Sequence, residues 1–346
     1  MKRPSLPARA ALAIPSWLFG RGVALRNRWY DRSGATVRVP VPVVSVGNLA
    51  LGGTGKTPLV AWLAARLAAR GRHPAVVSRG YGGRAGPGPL IVSTGEGPRV
   101  DARACGDEPH QLARLLPGTL VVVGADRVEA ARAAAAAGAG VILLDDGFQH
   151  RRLARDLDVV LLDGRAPFDF GLLPAGRLRE PPSALARAGV VVLTRLAERD
   201  AATAAIAEVR AAGFAGPVVR SGHKKTGFVD AAGRPCPSPA RALAFCGIAD
   251  PELFRSDLKR AGVEVARFRA YRDHHRYSGA AWAALRAEAE ADRLTLVTTD
   301  KDLSRLEAAA GASLAGAPLA ILRIEAVVWD EAPLMAAIVR TLEERA

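Results

Sequence analysis

The feature that most constrains this fold is a glycine-rich turn that lies between a strand-like segment and a helical segment. The mostly apolar run Val41–Val46 is typical of a buried strand, and Gly55-Lys56-Thr57 precedes an apolar helical pattern that starts at Leu59. Backbone N–H groups of such a turn, and of the helix that follows it, point at an anion. The order of strand, turn and helix therefore predicts an α/β fold with a phosphate-binding P-loop.

Residues of this P-loop have expected roles. Lys56 reaches the terminal phosphates of a nucleotide, and the Thr57 hydroxyl holds Mg²⁺. The strict pattern has glycine where this chain has Ala50, so an ordinary glycine-rich turn before a helix is the alternative. The predicted nucleotide-binding residues are Gly52, Gly53, Thr54, Gly55, Lys56 and Thr57.

The charge balance suggests an anionic partner. The 346 residues carry a formal net charge of +14, which favours nucleic acid, an anionic lipid surface or a phosphorylated substrate. Much of this charge is arginine in an alanine- and arginine-rich chain, so a compositional bias is an equal alternative. The cysteines, Cys105, Cys236 and Cys246, have no metal-binding spacing and are typical of reduced thiols in a cytoplasmic protein.

The N-terminal segment Met1–Tyr30 mixes basic residues with short apolar runs. These runs are too short and too interrupted by charge to span a bilayer, and no clear cleavage site follows a continuous apolar core. Trp and Phe on one side with Arg on another are typical of a helix that lies in the membrane interface. Packing on the protein's own core is the alternative, and the basic residues favour the membrane.

Strand-like runs alternate with alanine- and leucine-rich helical patterns, which predicts parallel sheets covered by helices. A segment rich in Gly, Lys and Pro interrupts this alternation. We therefore expect two α/β/α units, the first a P-loop NTPase-like unit with a mostly parallel sheet and the second smaller. The expected divisions are a membrane-interface helix at 1–30, the P-loop domain at 31–222, a linker region at 223–241 and a C-terminal α/β domain at 242–346.

Polar clusters follow several predicted strands, at the ends where open α/β sheets bind ligands. Asp145 and Asp146 directly follow the apolar run Val141–Leu144, as in a Walker B element whose carboxylate supports Mg²⁺. Gln149 and His150 come next, so the cluster exceeds what an ordinary turn requires. An Asp-Gly turn that caps the strand is the alternative.

Two carboxylates, Asp107 and Glu108, lie in a turn before another helical pattern. They either complement the helix dipole or supply the general base that positions a hydroxyl nucleophile in phosphoryl transfer. Tyr81 lies in a glycine-rich segment that is either a flexible loop or a lid. Arg127 and Arg179 are arginines of the kind that clamp phosphates.

The second unit carries a dense polar segment, Tyr271–Tyr277, in which His274 and His275 follow Asp273. No third ligand lies at zinc spacing, so an Asp–His relay or an anion contact is favoured over a metal site. The segment Thr298–Asp302 ends another apolar run, and we interpret it as a turn at the edge of a site.

With these motifs in order, the chain resembles the tetraacyldisaccharide 4′-kinases of lipid A biosynthesis. The matching stretches cover nearly the whole chain, and the block Asp145–His150 is particularly specific. The family's loop resembles Gly-Asn-x-x-x-Gly-Gly-x-Gly-Lys-Thr, so Ala50 occupies a permitted position. The stretches are Val46–Pro58, Ser78–Gly82, Gly106–Pro109, Asp145–His150, Leu173–Pro181, Phe245–Asp250 and Asp273-His274.

The resemblance implies ATP- and Mg²⁺-dependent phosphorylation of the 4′-hydroxyl of an acylated glucosamine disaccharide 1-phosphate, which gives lipid IVA. It implies a monotopic enzyme at the cytoplasmic face of the bacterial inner membrane, with its site in a cleft between two α/β units. Asp107 matches the base and His274 its partner, beside Lys56. The implied metal-binding residues are Thr57, Asp145, Asp146 and Glu180, and the implied substrate-binding residues are Tyr81, Glu108, Arg127, Gln149, His150 and Arg179.

Two other functions compete with this interpretation. A P-loop ATPase switch that targets proteins to membranes does not need the pair Asp107 and His274. A nucleic-acid-binding ATPase is suggested by charge alone, and no basic module interleaved with aromatic residues supports it. We therefore expect no nucleic-acid partner.

Overall fold

A computed structural model describes residues 11–168, 171–314 and 316–345. Helices flank one continuous sheet, which confirms the predicted α/β class. The strands are β1 Val43–Asn48, β2 Pro74–Ser78, β3 Leu90–Thr94, β4 Leu120–Val123, β5 Val141–Asp145, β6 Leu157–Asp163, β7 Val190–Leu196, β8 Val218–Val229, β9 Pro235–Cys236, β10 Arg241–Cys246, β11 Glu264–Ala270, β12 Thr295–Thr299 and β13 Leu319–Val328. The helices are α1 Ala13–Ser33, α2 Lys56–Ala68, α3 Ala102–Cys105, α4 Asp107–Leu115, α5 Arg127–Ala136, α6 Thr203–Ala211, α7 Pro251–Arg260, α8 Gly279–Ala291, α9 Asp300–Ala310 and α10 Glu331–Glu343.

The strand order is β11-β10-β12-β13-β8-β7-β6-β1-β5-β2-β4-β3, with β9 paired to β8. From β8 to β4 the strands are parallel, and β3 closes that edge in the antiparallel sense. All residues of β1 are buried, because helices cover both faces of a central parallel strand. The neighbours β1, β2 and β5 end at Asn48, Ser78 and Asp145, so these polar side chains collect at one edge of the sheet.

The second half of the sheet consists of β13, β12, β10 and β11, which are parallel to one another. It joins the first half through a long antiparallel pairing of β13 with β8, whose register runs from Ile321 opposite Val229 to Val328 opposite Ser221. The strand β8 therefore belongs to both halves and fixes one to the other through backbone hydrogen bonds.

The segment predicted as a linker, 223–241, contains a strand in the structure. The strand β8 continues through it to Val229, and the short β9 pairs back onto β8. Sequence reasoning placed a linker here because Gly, Lys and Pro disfavour strands, whereas pairing with β13 and β9 stabilises one. The two-domain division itself stays a proposal.

The last helix, α10, packs on the first half of the sheet, although it follows the second half in the sequence. Its buried side chains Leu334, Met335, Ile338 and Leu342 share one hydrophobic cluster with the β1 and α2 residues of the P-loop unit. By packing, α10 belongs to the P-loop unit, and separate clusters form the core around β10 and β12.

The N-terminal helix α1 contacts the rest of the protein along one face only. Ser16 Oγ donates to the Leu172 carbonyl, Asn27 Nδ2 donates to Glu180, and Arg151 pairs with Asp31. None of its residues is buried. The large apolar side chains left exposed are Ile14, Trp17, Leu18, Leu25 and Trp29.

These apolar side chains of α1 project from the side opposite the docked one at helical spacing. Residues 1–10 of the predicted 1–30 helix lie outside the described part of the chain, and the helix ends at Ser33 rather than at residue 30. Within the described residues, no helix combines the length and apolar character that crossing a bilayer requires.

Candidate functional site

The P-loop connects β1 to α2, and two side-chain hydrogen bonds to Thr54 stabilise its conformation. Asn48 Nδ2 donates to Thr54 Oγ1 over 2.8 Å, and Thr194 Oγ1 donates to the Thr54 carbonyl over 2.7 Å. The helix α2 starts after Gly55, which has a φ of 82° and gives the helix no side-chain cap. The first N–H groups of α2 therefore stay available for an anion, as the sequence predicts.

Gly52 is also required by the local geometry. Its φ of 107° disfavours any residue with a side chain, and an added Cβ would overlap the Arg177 guanidinium. Arg177 Nη2 donates to the Leu51 carbonyl over 2.7 Å, so the loop is clamped from the opposite side of the cleft. Thr57, the first residue after Lys56, is buried.

Lys56 and the two aspartates at the end of β5, Asp145 and Asp146, form the electrostatic centre of the site. Lys56 Nζ lies 3.4 Å from Asp146 Oδ1, and Arg179 Nη1 donates to Asp146 Oδ2 over 2.9 Å. Burial would raise the pKa of Asp146, but the charges of Lys56 and Arg179 hold that pKa below its usual range. Asp146 also has a positive φ of 51°, a strained conformation that is common at functional sites.

Asp145 behaves differently from its neighbour. Ser78 Oγ donates to its Oδ2 over 3.2 Å, and burial together with the charge of Glu108 raises the pKa of Asp145 to about 7. A nearby cation would stabilise the ionised form of this buried carboxylate. With the Thr57 hydroxyl and Asp146, whose buried Oδ1 accepts no hydrogen bond in the described structure, it offers the oxygen ligands that Mg²⁺ prefers.

Glu180, which the resemblance places among the metal ligands, is engaged elsewhere. Arg187 Nη2 donates to both of its carboxylate oxygens, and Gln149 and Asn27 donate one hydrogen bond each. The residue is 1% exposed. Because its oxygens already have partners, the geometry favours a bracing role that ties α1 and Gln149 to the cleft wall. Among the described residues, no cluster of three or more His, Cys, Asp or Glu side chains could hold a metal ion.

Gln149 and Arg179 link that brace to the nucleotide end of the site. Gln149 Nε2 also donates to the Asn48 carbonyl over 2.9 Å, and Arg179 Nη1 donates to Gln149 Oε1 over 3.2 Å. His150 lies next to them, and burial together with the nearby charges of Arg127 and Arg155 lowers its pKa to about 4. His150 is therefore neutral near pH 7.

Asp107 lies at the start of α4 and is contacted by two residues of the second half. Arg305 Nε donates to Asp107 Oδ2 over 2.7 Å, and His274 Nδ1 lies 3.3 Å from the same oxygen. Burial would raise the pKa of Asp107, but the hydrogen bond from His274 and the charge of Arg305 hold it below its usual range. The hydrogen bond with Asp107 raises the pKa of His274. The predicted pair is therefore brought together by the fold.

Glu108 connects the Asp107 end to the phosphate end. Its Oε1 accepts a hydrogen bond from Lys301 Nζ over 2.7 Å, and its pKa is lowered, against burial, by the charges of Lys301 and Lys56. Glu108 in turn raises the pKa of Asp145. Glu108, the residue next to Asp107, therefore interacts electrostatically with both Lys56 and Asp145.

Other predicted residues lie at the rim. The Tyr81 ring is exposed and lies edge-on to the His274 ring, with 6.3 Å between the ring centroids. Arg127 lies near enough to Asp145 and Asp146 for their charges to influence its pKa. Both arrangements agree with roles in holding a substrate.

Sequence reasoning missed Arg305, Lys301 and Arg187. The turn Thr298–Asp302 was recognised, but its contacts with Asp107 and Glu108 were not. The available signal was the run of charged residues at the start of α9, directly after an apolar strand. Only the fold shows that this helix start faces α4.

Comparisons with known proteins give a consistent result. The family model described as Tetraacyldisaccharide-1-P 4'-kinase matches residues 8–343. A protein of Anaeromyxobacter sp. (strain K) called tetraacyldisaccharide 4'-kinase is 45% identical over 341 residues, covering 95% of this chain and 89% of its own. One of the same name from Chlorobaculum parvum is 43% identical over 298 residues, covering 84% and 82%. The crystal structure of LpxK from Aquifex aeolicus in complex with ATP matches with a TM-score of 0.78 and 30% identity, covering 96% of this chain and 99% of that one.

Proposed function

Since the chain belongs to the tetraacyldisaccharide-1-P 4'-kinase family, we propose that it transfers a phosphoryl group from ATP to the 4′-hydroxyl of an acylated glucosamine disaccharide 1-phosphate. The product is lipid IVA, an intermediate of lipid A biosynthesis. The observation that carries the proposal is a carboxylate, Asp107, held by two partners from the other half of the sheet beside a P-loop.

The chemistry of a hydroxyl acceptor explains this arrangement. A sugar hydroxyl is a weak nucleophile at neutral pH, so a positioned carboxylate helps by accepting its proton as the O–P bond forms. The bond between the γ-phosphorus and the β–γ bridging oxygen breaks, and ADP leaves. An ATPase switch without an acceptor substrate has no use for a base held in this way.

Residues at the P-loop end of the cleft stabilise the phosphoryl group during its transfer. Lys56 and the free N–H groups at the start of α2 face the phosphates, and Arg179 and Arg127 add positive charge nearby. Mg²⁺ would be held by Thr57, Asp145 and Asp146 and would neutralise charge on the β- and γ-phosphates. Lys56 leaves Asp146 for the phosphates when nucleotide binds.

We also propose that α1 places the enzyme on the cytoplasmic face of the inner membrane as a monotopic protein. Trp17 and Leu25 are 63% and 62% exposed, and they project away from the docked face of the helix. Arg21, Arg28 and Arg32 are exposed on the same helix face, where Arg21 lies over the Trp17 ring, and they suit anionic lipid headgroups. An acylated substrate stays in the bilayer, so the enzyme must work at its surface. We expect no nucleic-acid partner.

A direct assay tests the proposed reaction. Purified protein is incubated with ATP, Mg²⁺ and the disaccharide 1-phosphate lipid in detergent, and the product is analysed by mass spectrometry and ³¹P NMR. We expect a new phosphate monoester at the 4′-oxygen and stoichiometric ADP. ATP hydrolysis without a phosphorylated lipid would support the ATPase switch instead and overturn the proposal.

A further inference from the structure

The start of α9 holds a buried network that the reaction described above does not use. Asp302 is fully buried and accepts hydrogen bonds from the Gly247 N–H, the Tyr277 hydroxyl and Arg305 Nη1. Its other oxygen accepts a hydrogen bond from Thr299 Oγ1. One carboxylate therefore ties together the end of β10, the segment after β11 and the first turn of α9.

Arg305 carries this network to Asp107. The residue is 4% exposed, and its guanidinium uses four N–H directions: Nε to Asp107 Oδ2, Nη1 to the Gly247 carbonyl at 2.6 Å and to Asp302, and Nη2 toward His274 Nδ1. A planar fork with five donors can satisfy such a set, whereas an ammonium group cannot. Asp302 thus holds Arg305 through Nη1, and the Nε and Nη2 atoms of Arg305 face Asp107 and His274.

The Nδ1 atom of His274 has two competing neighbours. It lies 3.3 Å from Asp107 Oδ2 and 3.3 Å from Arg305 Nη2. A carboxylate only accepts hydrogen bonds and a guanidinium only donates them, so Nδ1 satisfies one neighbour when it carries a proton and the other when it does not.

The opposite side of the His274 ring favours one of these states. Asp273 Oδ1 lies 3.9 Å from His274 Nε2, so a proton on Nε2 faces a carboxylate. The backbone holds the ring in this place, since His274 has a φ of 59° and its N–H donates to the Gly247 carbonyl over 3.1 Å. A neutral His274 with its proton on Nε2 therefore accepts a hydrogen bond from Arg305 and turns that proton toward the Asp273 carboxylate, whereas Nδ1 donates to Asp107 when the ring is protonated.

We infer that Arg305 is a positioning residue for phosphoryl transfer, which fixes Asp107 through Oδ2 and selects the Nε2–H tautomer of neutral His274. Among the described residues Asp107 Oδ1 accepts no hydrogen bond, so this arrangement leaves Oδ1 as the oxygen that meets the substrate hydroxyl. The inference rests on the proposed function and deepens it by naming a residue that lies outside every motif of the family resemblance given above.

Removing Arg305 has a defined electrostatic consequence. The guanidinium charge lowers the pKa of Asp107 and also that of His274, so its loss raises both. The other charged or titratable groups around the pair are Lys301 and Asp302 on α9, Asp273 beside His274, Cys105 on α3, His110 on α4, and Arg84, Arg103 and Arg276, which line a cavity of about 220 Å³ next to Asp107. All of these remain in an Arg305 variant, so the change in pH dependence reports on Arg305 alone.

The kinetic test compares Arg305→Gln with Arg305→Lys. In Arg305→Gln we expect kcat to fall roughly 100-fold, as for a misplaced catalytic group, with the KM for ATP changed less than about twofold. We also expect the acid limb of the kcat–pH profile to move to higher pH. Arg305→Lys keeps the charge but loses the fork, so its acid limb stays near that of the wild type while kcat recovers only in part. Asp302→Asn weakens the hydrogen bond that holds Arg305 Nη1, and it should lower kcat less than Arg305→Gln does.

The matched control is Arg220→Gln. Arg220 pairs with Asp330, directly before α10, and none of its side-chain partners is a residue of the site, so kcat and the pH profile should not change. Wild-type enzyme runs in every assay. If the wild type does not phosphorylate the lipid, the proposed function fails, whereas a wild type that turns over alongside an equally active Arg305→Gln variant overturns only the role of Arg305.

A structural measurement decides the tautomer without turnover. Nitrogen-15 NMR of the imidazole groups in the wild-type protein, assigned with a His274→Gln variant, should show neutral His274 protonated on Nε2. In Arg305→Gln the tautomers should mix and the His274 pKa should rise. A wild-type His274 that carries its neutral-form proton on Nδ1 would contradict the inference, whatever the variants do.

Discussion

The phosphate-binding loop of the site comes from one stretch of chain, although Asp146 and Arg179 join it from elsewhere, whereas the Asp107 end is assembled entirely from three distant stretches. The P-loop and the start of α2 are contiguous, and backbone N–H groups provide most of its chemistry. At the other end, Asp107 meets His274 and Arg305 across separations of 167 and 198 residues, through side chains alone. The first end can hold a nucleotide whether or not the two halves are well aligned, but the second exists only when they are.

The largest effect that separates the two ends should follow Asp107→Asn. The variant keeps the shape of the side chain but removes the base, so we expect kcat to fall by about 10²- to 10⁴-fold. The dissociation constant for ATP should stay within about twofold, because the P-loop is untouched. Stopped-flow turnover and calorimetric ATP titration measure the two quantities. A comparable loss of ATP affinity would contradict the assignment of Asp107 as base.

Lys56→Met tests the phosphate end in the same assays. The ammonium group faces the phosphates in both the ground state and the transition state, so we expect weaker ATP binding together with a fall of about 10²- to 10³-fold in kcat. Asp107→Asn should lower kcat alone, whereas Lys56→Met should lower both kcat and the affinity for ATP. If Lys56→Met lowers kcat and leaves ATP affinity intact, Lys56 contributes to the transition state alone and the two ends are less distinct than we describe.

The membrane stripe on α1 should give a smaller effect that is independent of both ends. Trp17→Ser with Leu25→Ser removes apolar surface that is mostly exposed, so binding to anionic phospholipid vesicles should weaken by about tenfold or more. Activity on detergent-dispersed substrate should not change. This pair is a better test than deletion of the helix, which would also remove the Asn27–Glu180 contact. Unchanged vesicle binding in a flotation assay would argue against the membrane role.

The smallest effect concerns the pH dependence of folding stability. The lowered pKa of Asp107 stabilises the fold above its unfolded value of about 3.9, and this contribution is lost as the pH falls through the folded pKa. The raised pKa of His274 stabilises the fold below its unfolded value of about 6.5, and this is lost as the pH rises through the folded pKa.

The link between the two halves should therefore be strongest between about pH 4 and 6.5. Urea unfolding of the wild type and of His274→Gln across this range measures the contribution. The difference in unfolding free energy should shrink above neutral pH. A difference that stays constant with pH would show that the ion pair is not formed in solution.

Sequence reasoning succeeded where function depends on local chain geometry. The strand β1, the turn and the start of α2 were recognisable because a P-loop is a local pattern, and Asp145 and Asp146 were recognisable because an apolar strand precedes them. The family resemblance joined Asp107 to His274, and the structure brings the two side chains into contact.

Three features of the structure could not be read from the sequence. The segment 223–241 has the composition of a linker, yet its residues up to Val229 belong to β8 because they form hydrogen bonds with β13. Glu180 has the chemistry of a metal ligand, yet Arg187 occupies both of its oxygens. The helix α10 follows the second unit in the chain, yet its apolar face joins the hydrophobic cluster of the P-loop unit. The partners of β8 and α10 are distant in the sequence, whereas Arg187 lies only seven residues from Glu180, so its contact depends on local geometry that the sequence did not reveal.

The sequence by itself therefore determined the α/β class, the P-loop and the family, because each depends on the order of residues along one segment or on a set of motifs along the chain. Only the tertiary structure decided that Arg305, which is held by Asp302, donates a hydrogen bond to Asp107. It also decided that the apolar stripe of α1 faces away from the protein. The physical reason is that hydrogen bonds and burial depend on which surfaces meet in space, and a buried guanidinium with four engaged N–H directions has no signature in local sequence.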